Sequence, residues 1–287
     1  MDFIIEQNNN IELIDTLLLS KTVPRSYLIT GDMKSGKSLF SKYIASKLKA
    51  PYVNISSLDE IREMTDTAYT SAFDKVYIFD DFEDINFRAQ EALLKVLEEP
   101  PQGCHMILNA ENQSMIKTTI LNRVFHIEME NYSIDVLHNY GKSLNIHNYL
   151  INGDFYRVFN SIGLLKFIAE GERLVQYLDF LSKFMANINT VTAGNSLKTA
   201  QYISLKKDDD KVDLRILFRL IFNELLKYMK NFNYDLTCLL NLVHSYNIYL
   251  YNNPYINVEN IWVNFVIDYR KRSSKIGFVG VKRTAEA

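Results

Sequence analysis

Apolar positions in the first half of the chain fall in short runs, and between them apolar residues recur every three or four positions. Short runs at Ser26–Thr30, Tyr52–Ile55, Lys75–Asp80, Cys104–Asn109 and Val124–Glu128 read as strands. Ile11–Leu19 reads as a helix. So does the segment after Ser38, where Phe40, Ile44 and Leu48 share one stripe, and the segment where Ala89, Leu93, Val96 and Leu97 make another before Pro100-Pro101 stops it. This alternation predicts an α/β layer around a mostly parallel, buried sheet. Beyond Asn131 the strand signal fades. Short helical pieces surround a turn at Asn152-Gly153-Asp154, and longer amphipathic helices follow from Phe167. In that region Leu214, Leu217, Phe218, Ile221, Leu225 and Tyr228 keep helical spacing, and Ile261, Phe265 and Ile267 are read as the apolar side of a final helix. Asp208-Asp209-Asp210 and Asn252-Asn253-Pro254 read as polar joints. The expected division is an α/β domain at 1–130, a small helical lid at 131–168 and an all-helical domain at 169–287.

Composition narrows this picture. The chain has 287 residues, of which 47% are hydrophobic and 23% charged, an ordinary globular balance with room for more than one core. A net charge of −2 gives no overall attraction to polyanions, so any nucleic-acid contact must come from a local patch or from an assembly. Cys104 and Cys238 are the two cysteines, too few and too far apart for a disulfide framework or a cysteine zinc site. No apolar run approaches a membrane span, and the first residues lack a basic secretory start, which predicts a soluble, cytoplasmic protein. His105, His126, His138, His147 and His244 show no metal-ligand spacing. The basic run Arg270-Lys271-Arg272-Ser273-Ser274-Lys275, with Lys282 and Arg283, reads as a solvated tail, with a DNA-backbone or partner contact as the alternative.

The chemistry lies in Gly31-Asp32-Met33-Lys34-Ser35-Gly36-Lys37-Ser38, which fits the phosphate-binding pattern G-x-x-x-x-G-K-[ST] between a strand and a helix. A chain that bends from strand to helix at glycines turns backbone N–H groups toward an anion. Gly31, Ser35 and Gly36 shape that cradle, Lys37 adds charge toward the outer phosphates of a nucleotide, and Ser38 supplies a hydroxyl ligand for Mg²⁺. The second motif is Val76-Tyr77-Ile78-Phe79-Asp80-Asp81, an apolar strand ending in carboxylates. Asp80 is the candidate for the nucleotide's Mg²⁺. Asp81 is the candidate catalytic carboxylate, although it is one methylene shorter than the glutamate often found there.

The run Gln90-Glu91-Ala92-Leu93-Leu94-Lys95-Val96-Leu97-Glu98-Glu99-Pro100-Pro101 then makes a resemblance specific. Placed after a strand-terminal acidic pair, it resembles the signature of bacterial clamp-loader ATPase subunits, the delta-prime and gamma/tau subunits of DNA polymerase III in the AAA+ superfamily. Met106-Ile107-Leu108-Asn109 and Thr118-Thr119-Ile120-Leu121-Asn122-Arg123-Val124 continue it. Where that family has Ser-Arg-Cys, this chain has Asn122-Arg123-Val124, and the resemblance implies that Arg123 is an arginine finger reaching a neighbouring subunit's ATP.

The resemblance further implies a P-loop AAA+ module, a small lid and a helical domain that assembles into a hetero-oligomeric ring. Its expected partners are other clamp-loader subunits, a sliding clamp and primed DNA. The four-cysteine zinc module of the family has no counterpart here, so no zinc is expected. The lid arginine of the catalytic members aligns with Tyr156, with Arg157 one position off. The polar sensor at the end of the fourth strand is either Asn109 or Asn112. With Asp81, these departures imply weak hydrolysis in cis and a delta-prime-like role. Another AAA+ ATPase, such as a helicase loader, and a nucleotide-binding scaffold that does not hydrolyse are the alternatives. Glu98 and Glu99, at a helix C-terminus where negative charge is disfavoured, either face solvent or meet a basic partner.

Overall fold

In the computed structural model the described residues are 6–20, 23–67, 69, 74–85, 87–111, 113–144, 146, 156, 159–170, 173–187, 194–195, 216, 218–222, 241–246 and 258–275. Two compact units emerge, one of Met1–Ser143 with Phe159–Lys166 and one of Leu144–Val158 with Phe167–Ala287. The turn expected at Asn152-Gly153-Asp154, the neighbouring Arg157, both polar joints and Leu214, Leu217, Leu225 and Tyr228 lie outside the described residues.

The first unit is built on five parallel strands, β1 (Ser26–Thr30), β2 (Tyr52–Ile55), β3 (Lys75–Phe79), β4 (Cys104–Ala110) and β5 (Phe125–Glu128), in the spatial order β2-β3-β4-β1-β5. β1 lies between β4 and β5, with Leu28 opposite Leu108 and His126. Side chains alternate across the pleat, so Tyr27 and Ile29 enter one apolar layer and Leu28 the other. The first layer is covered by α1 (Asn8–Leu19) and α2 (Lys37–Lys47), through Ile14, Phe40 and Ile44. The second is covered by α3 (Leu58–Thr67) and α4 (Phe87–Glu98), through Ile61, Met64, Leu93 and Val96. Each such fully buried side chain contributes about 1.5–3 kcal/mol relative to exposure.

The expectation of a buried sheet is corrected at its edges, where β5 exposes His126 and Glu128. β2 is an edge strand, and Tyr52 and Val53 are exposed, because only β3 pairs with it. The helix α5 (Thr118–Leu121) and the helix α6 (Ile134–Ser143) flank β5 in the chain. Among the described residues the helices α7 (Ile162–Ala169), α8 (Arg173–Asn187) and α9 (Val258–Lys275) come later in the chain.

The second unit has an aromatic core of its own. Trp262 is fully buried, with Phe218 at 4.6 Å and Phe184 at 5.0 Å between ring centroids, and Phe222 meets Phe265 at 4.8 Å. On α9 the buried residues are Ile261, Trp262, Phe265, Val266 and Tyr269, whereas Ile267 is 39% exposed. The reading of Ile267 as part of the apolar side is therefore corrected. At about 100° per residue, position 267 points away from the stripe carried by 261, 265 and 269.

Candidate functional site

The phosphate loop crosses from β1 to α2 at the C-terminal ends of the parallel strands, where open α/β sheets present their ligand sites. Gly31 has no room for a side chain. A Cβ there would stand 2.7 Å from the Cβ of Met129 and 3.0 Å from Ser35 Oγ. Gly36 adopts φ +101° as the N-cap of α2, a left-handed conformation that suits glycine. No side chain caps α2, so its first backbone N–H groups lack intrahelical partners and remain for an anion. Tyr132 braces the loop from the other side, its hydroxyl donating to Ser35 O at 2.8 Å. Burial raises the Tyr132 phenol above its usual range, which keeps it a neutral donor.

Lys37 is buried, and its Nζ donates to Gly31 O at 2.9 Å and Asp32 O at 3.0 Å. The ammonium is thus held by its own loop. Ser38 Oγ donates to Asp80 Oδ1 at 2.5 Å, bringing the hydroxyl and the carboxylate into a single pair. Asp80 lies just past the end of β3, which stops at Phe79, one residue earlier than expected. Asn109 Nδ2 donates to the same Asp80 oxygen at 2.7 Å, and Ser41 Oγ donates to Asn109 Oδ1 at 2.8 Å. Asn109 and Ser41 are both buried. Of the two sensor candidates, Asn109 faces Asp80; Asn112 lies outside the described residues. These groups suit a nucleoside triphosphate with Mg²⁺: orphan helix N–H groups, a lysine on the loop, and a hydroxyl–carboxylate pair of hard oxygen donors.

Asp81 is exposed, with a left-handed backbone at φ +48° that short polar side chains tolerate. It lines, with Asp80, Asn54 and Ser57, a cleft of about 470 Å³ beyond the ends of β2 and β3. The N-terminus of α3 beside this cleft carries a capping box, in which Ser57 Oγ accepts the Glu60 N–H at 3.2 Å and Glu60 Oε2 accepts the backbone N–H groups of Ser56 at 2.7 Å and Ser57 at 3.2 Å.

Arg123 follows α5 and sits on the surface. One arm of its guanidinium donates to Thr119 O, and the other pairs with Glu98 Oε1. Of the two readings of Glu98, the geometry supplies a basic partner, from the same chain. Among the described residues no group of His, Cys, Asp and Glu could hold a metal ion by itself, and no helix is long and apolar enough to cross a membrane.

Besides Tyr132 and Ser41, the loop's surroundings include Glu83, Ser161 and Gly163, which also escaped sequence reasoning. Glu83, in the short turn after Asp81, is 3% exposed. Its Oε1 accepts the Glu111 N–H at 2.7 Å, while Oε2 has no donor among the described residues. Burial pushes this carboxyl up to about 7. Nothing in the Asp-Asp-Phe-Glu-Asp run separates buried Glu83 from exposed Asp81. Ser161 and Gly163 are the other two. Ser161 Oγ donates to Met33 O at 3.1 Å and accepts the Leu164 N–H at 3.2 Å, which anchors the start of α7 on the phosphate loop. A Cβ on Gly163 would stand 2.4 Å from Lys34 O. The Asn160-Ser161 pair before an apolar run was a helix-start signal, but its target could not be read locally.

Sheet, loop and acidic strand end together define a P-loop AAA+ module. RuvB from Thermotoga maritima, solved as a point mutant, shares the fold, with a TM-score of 0.50 and 14% identity over 92% of this chain and 89% of that one. Within that class, the chain is similar to subunits of DNA polymerase III. A family model described as "DNA polymerase III, delta subunit" matches residues 49–133. DNA polymerase III subunit tau of Bacillus subtilis (strain 168) is 26% identical over 152 residues, 42% of this chain and 27% of that protein. DNA polymerase III subunit gamma of Buchnera aphidicola subsp. Acyrthosiphon pisum (strain APS) is 26% identical over 174 residues, 55% of this chain and 46% of that protein. The chain spans from about a quarter to just under half the length of the curated relatives it matches. The resemblance to clamp-loader ATPase subunits read from the sequence is borne out at this level.

Proposed function

We propose that this chain is a clamp-loader subunit of delta-prime character. It binds ATP at the Gly31–Ser38 loop and works in the cytoplasm within a hetero-oligomeric ring that places a sliding clamp on primed DNA. The observation that carries the reading is the Ser38–Asp80 pair at 2.5 Å beside an uncapped helix N-terminus, which assembles both nucleotide motifs. When bound with ATP, Mg²⁺ would be held by Ser38 and Asp80 and would offset phosphate charge. Lys37 would leave the carbonyls of Gly31 and Asp32 for the outer phosphates, exchanging two neutral acceptors for an anion. Asn109 would hold Asp80 in orientation. Asp81 is the carboxylate assigned to the attacking water. Its exposure and short side chain support slow hydrolysis in cis, since misplacement by about 1 Å can cost roughly a hundredfold.

The residue offered to a neighbour is Arg123. A guanidinium delivered to a transferring phosphoryl group from outside is worth about 10³–10⁵ in rate. Its place on the surface, rather than inside its own unit, supports action in trans. The helical C-terminal part is the segment proposed for ring assembly. The test is co-purification of the full-length chain with ATP-binding ring subunits and a clamp, then ATPase with and without primed DNA. Arg123→Ala is expected to leave ATP binding by this chain unchanged and to lower hydrolysis at the site it serves by at least about tenfold. Unchanged hydrolysis would remove the trans role.

A further inference from the structure

Arg123 does not hang free on the surface. Its two terminal nitrogens are held separately, one by Thr119 O in α5 and the other by Glu98 Oε1 at the end of α4. These two helices pack as one body. Ile120 and Leu93 share the apolar layer, Gln90 Oε1 accepts the Lys117 N–H at 3.3 Å, and Lys117 pairs with Glu91. The spacing between Glu98 and Arg123 is therefore set by packing and not by chance encounter of two long side chains.

Stability does not account for this pair. The side chains of Arg123 and Glu98 are 32% and 50% exposed, and ion pairs so open to water and salt add little to folding. Glu98 also sits where the helix dipole disfavours an anion, which cancels part of even that gain. What the pair does is orient. Guanidinium carries five N–H donors, and two are engaged here. The remaining donors can meet a phosphate while the group stays anchored. A free arginine side chain loses rotamer entropy on engagement, and anchoring removes part of that loss in advance.

We infer that Glu98 is a positioning residue for Arg123, fixing the guanidinium in the orientation in which it meets the triphosphate of an adjacent subunit. This rests on the proposed trans role of Arg123. The acidic end of the Leu93–Pro101 segment thereby acquires a task, namely aiming a cation that belongs to the same chain.

The experiment uses the full-length chain in the ring formed with the ATP-binding subunits that co-purify with it, comparing wild type, Glu98→Gln, Glu98→Asp, Arg123→Ala and the Glu98→Gln/Arg123→Ala double variant. Glu98→Gln should lower kcat about three- to thirtyfold with KM within about twofold, because orientation in the transition state is lost and ground-state binding is not. Glu98→Asp should recover part of the loss. The double variant should be no slower than Arg123→Ala alone, since both act through one group. If Arg123→Ala slows the ring and Glu98→Gln does not, the pair is only a surface ion pair and the inference falls while the trans role stands. If Glu98→Gln accelerates hydrolysis, Glu98 competes with the phosphate instead of aiming Arg123, and the inference falls. Additive losses in the double variant overturn it too. If Arg123→Ala has no effect, or no ring forms, the functional reading fails first and takes the inference with it.

Discussion

Asn109 Nδ2 donates at 2.7 Å to Oδ1 of Asp80, the same oxygen that accepts the Ser38 hydroxyl. One carboxylate oxygen therefore ties the end of β4 to the first turn of α2. A Mg²⁺ ion held as proposed by Ser38 and Asp80 would find the carboxylate already oriented by Asn109, whose amide Ser41 fixes in turn.

Replacing Asn109 by Leu should expose how much this network matters. The Asp80 carboxylate loses a donor and the Ser41 hydroxyl keeps only the Lys37 carbonyl, at 3.0 Å. We expect a loss of about 1–3 kcal/mol in urea unfolding, the usual cost of stranding buried polar partners. A variant as stable as wild type would show that the amide is not structurally coupled to the site.

Lys37→Ala should abolish saturable ATP binding by the purified chain, measured by isothermal titration calorimetry. The lysine's two bonds are to its own loop, so melting should change little in the absence of nucleotide. Binding within about twofold of wild type would exclude the loop as the nucleotide site.

Glu83 makes stability depend on pH in a stated direction. Its carboxyl titrates at about 7 in the folded chain against 4.5 when unconstrained, so between these values the folded state holds more protons than the unfolded state. Stability should therefore fall as pH rises from about 4.5 to about 7 and stay lower above that. Glu83→Gln can still accept the Glu111 N–H. It should flatten this limb and raise stability at pH 8 by roughly 1–3 kcal/mol, read from urea midpoints across pH. A Glu83→Gln curve parallel to wild type would contradict the assignment.

Gly163→Ala places a methyl 2.4 Å from Lys34 O, a backbone atom that cannot rotate aside. We expect destabilisation of about 1–3 kcal/mol and weaker ATP binding, because α7 must withdraw from the phosphate loop. Wild-type melting temperature and affinity together would show that the two segments are not tightly docked.

Much of the first unit was legible from local pattern. β1 is apolar enough to be buried at every position, and its bounds, Ser26–Thr30, match the reading to the residue. β3 reads one residue too long, because Asp80 continues an apolar run in sequence yet already turns in space. The exposure of β2 was not legible, since an edge strand and a central strand share the same β-branched and aromatic composition. The final helix shows the converse. Ile267 is apolar but faces out, while Trp262, Phe265 and Tyr269 fill the core, because burial follows angular position and not side-chain type alone.

The chain by itself determined that an anion cradle, an acidic strand end and an arginine motif exist, because each depends on residues adjacent in sequence and on local backbone geometry. Tertiary structure alone decided which of these meet. The strand order β2-β3-β4-β1-β5 sets β4 between β1 and β3, which lets Asn109 reach Asp80 and Ser41 at once. Packing of α4 on α5 brought Glu98 to Arg123, and closure over the turn after β3 buried Glu83 while leaving Asp81 in solvent. Such pairings join residues far apart in the chain. Their distances are set by the summed burial of a whole core, which no short stretch of sequence encodes.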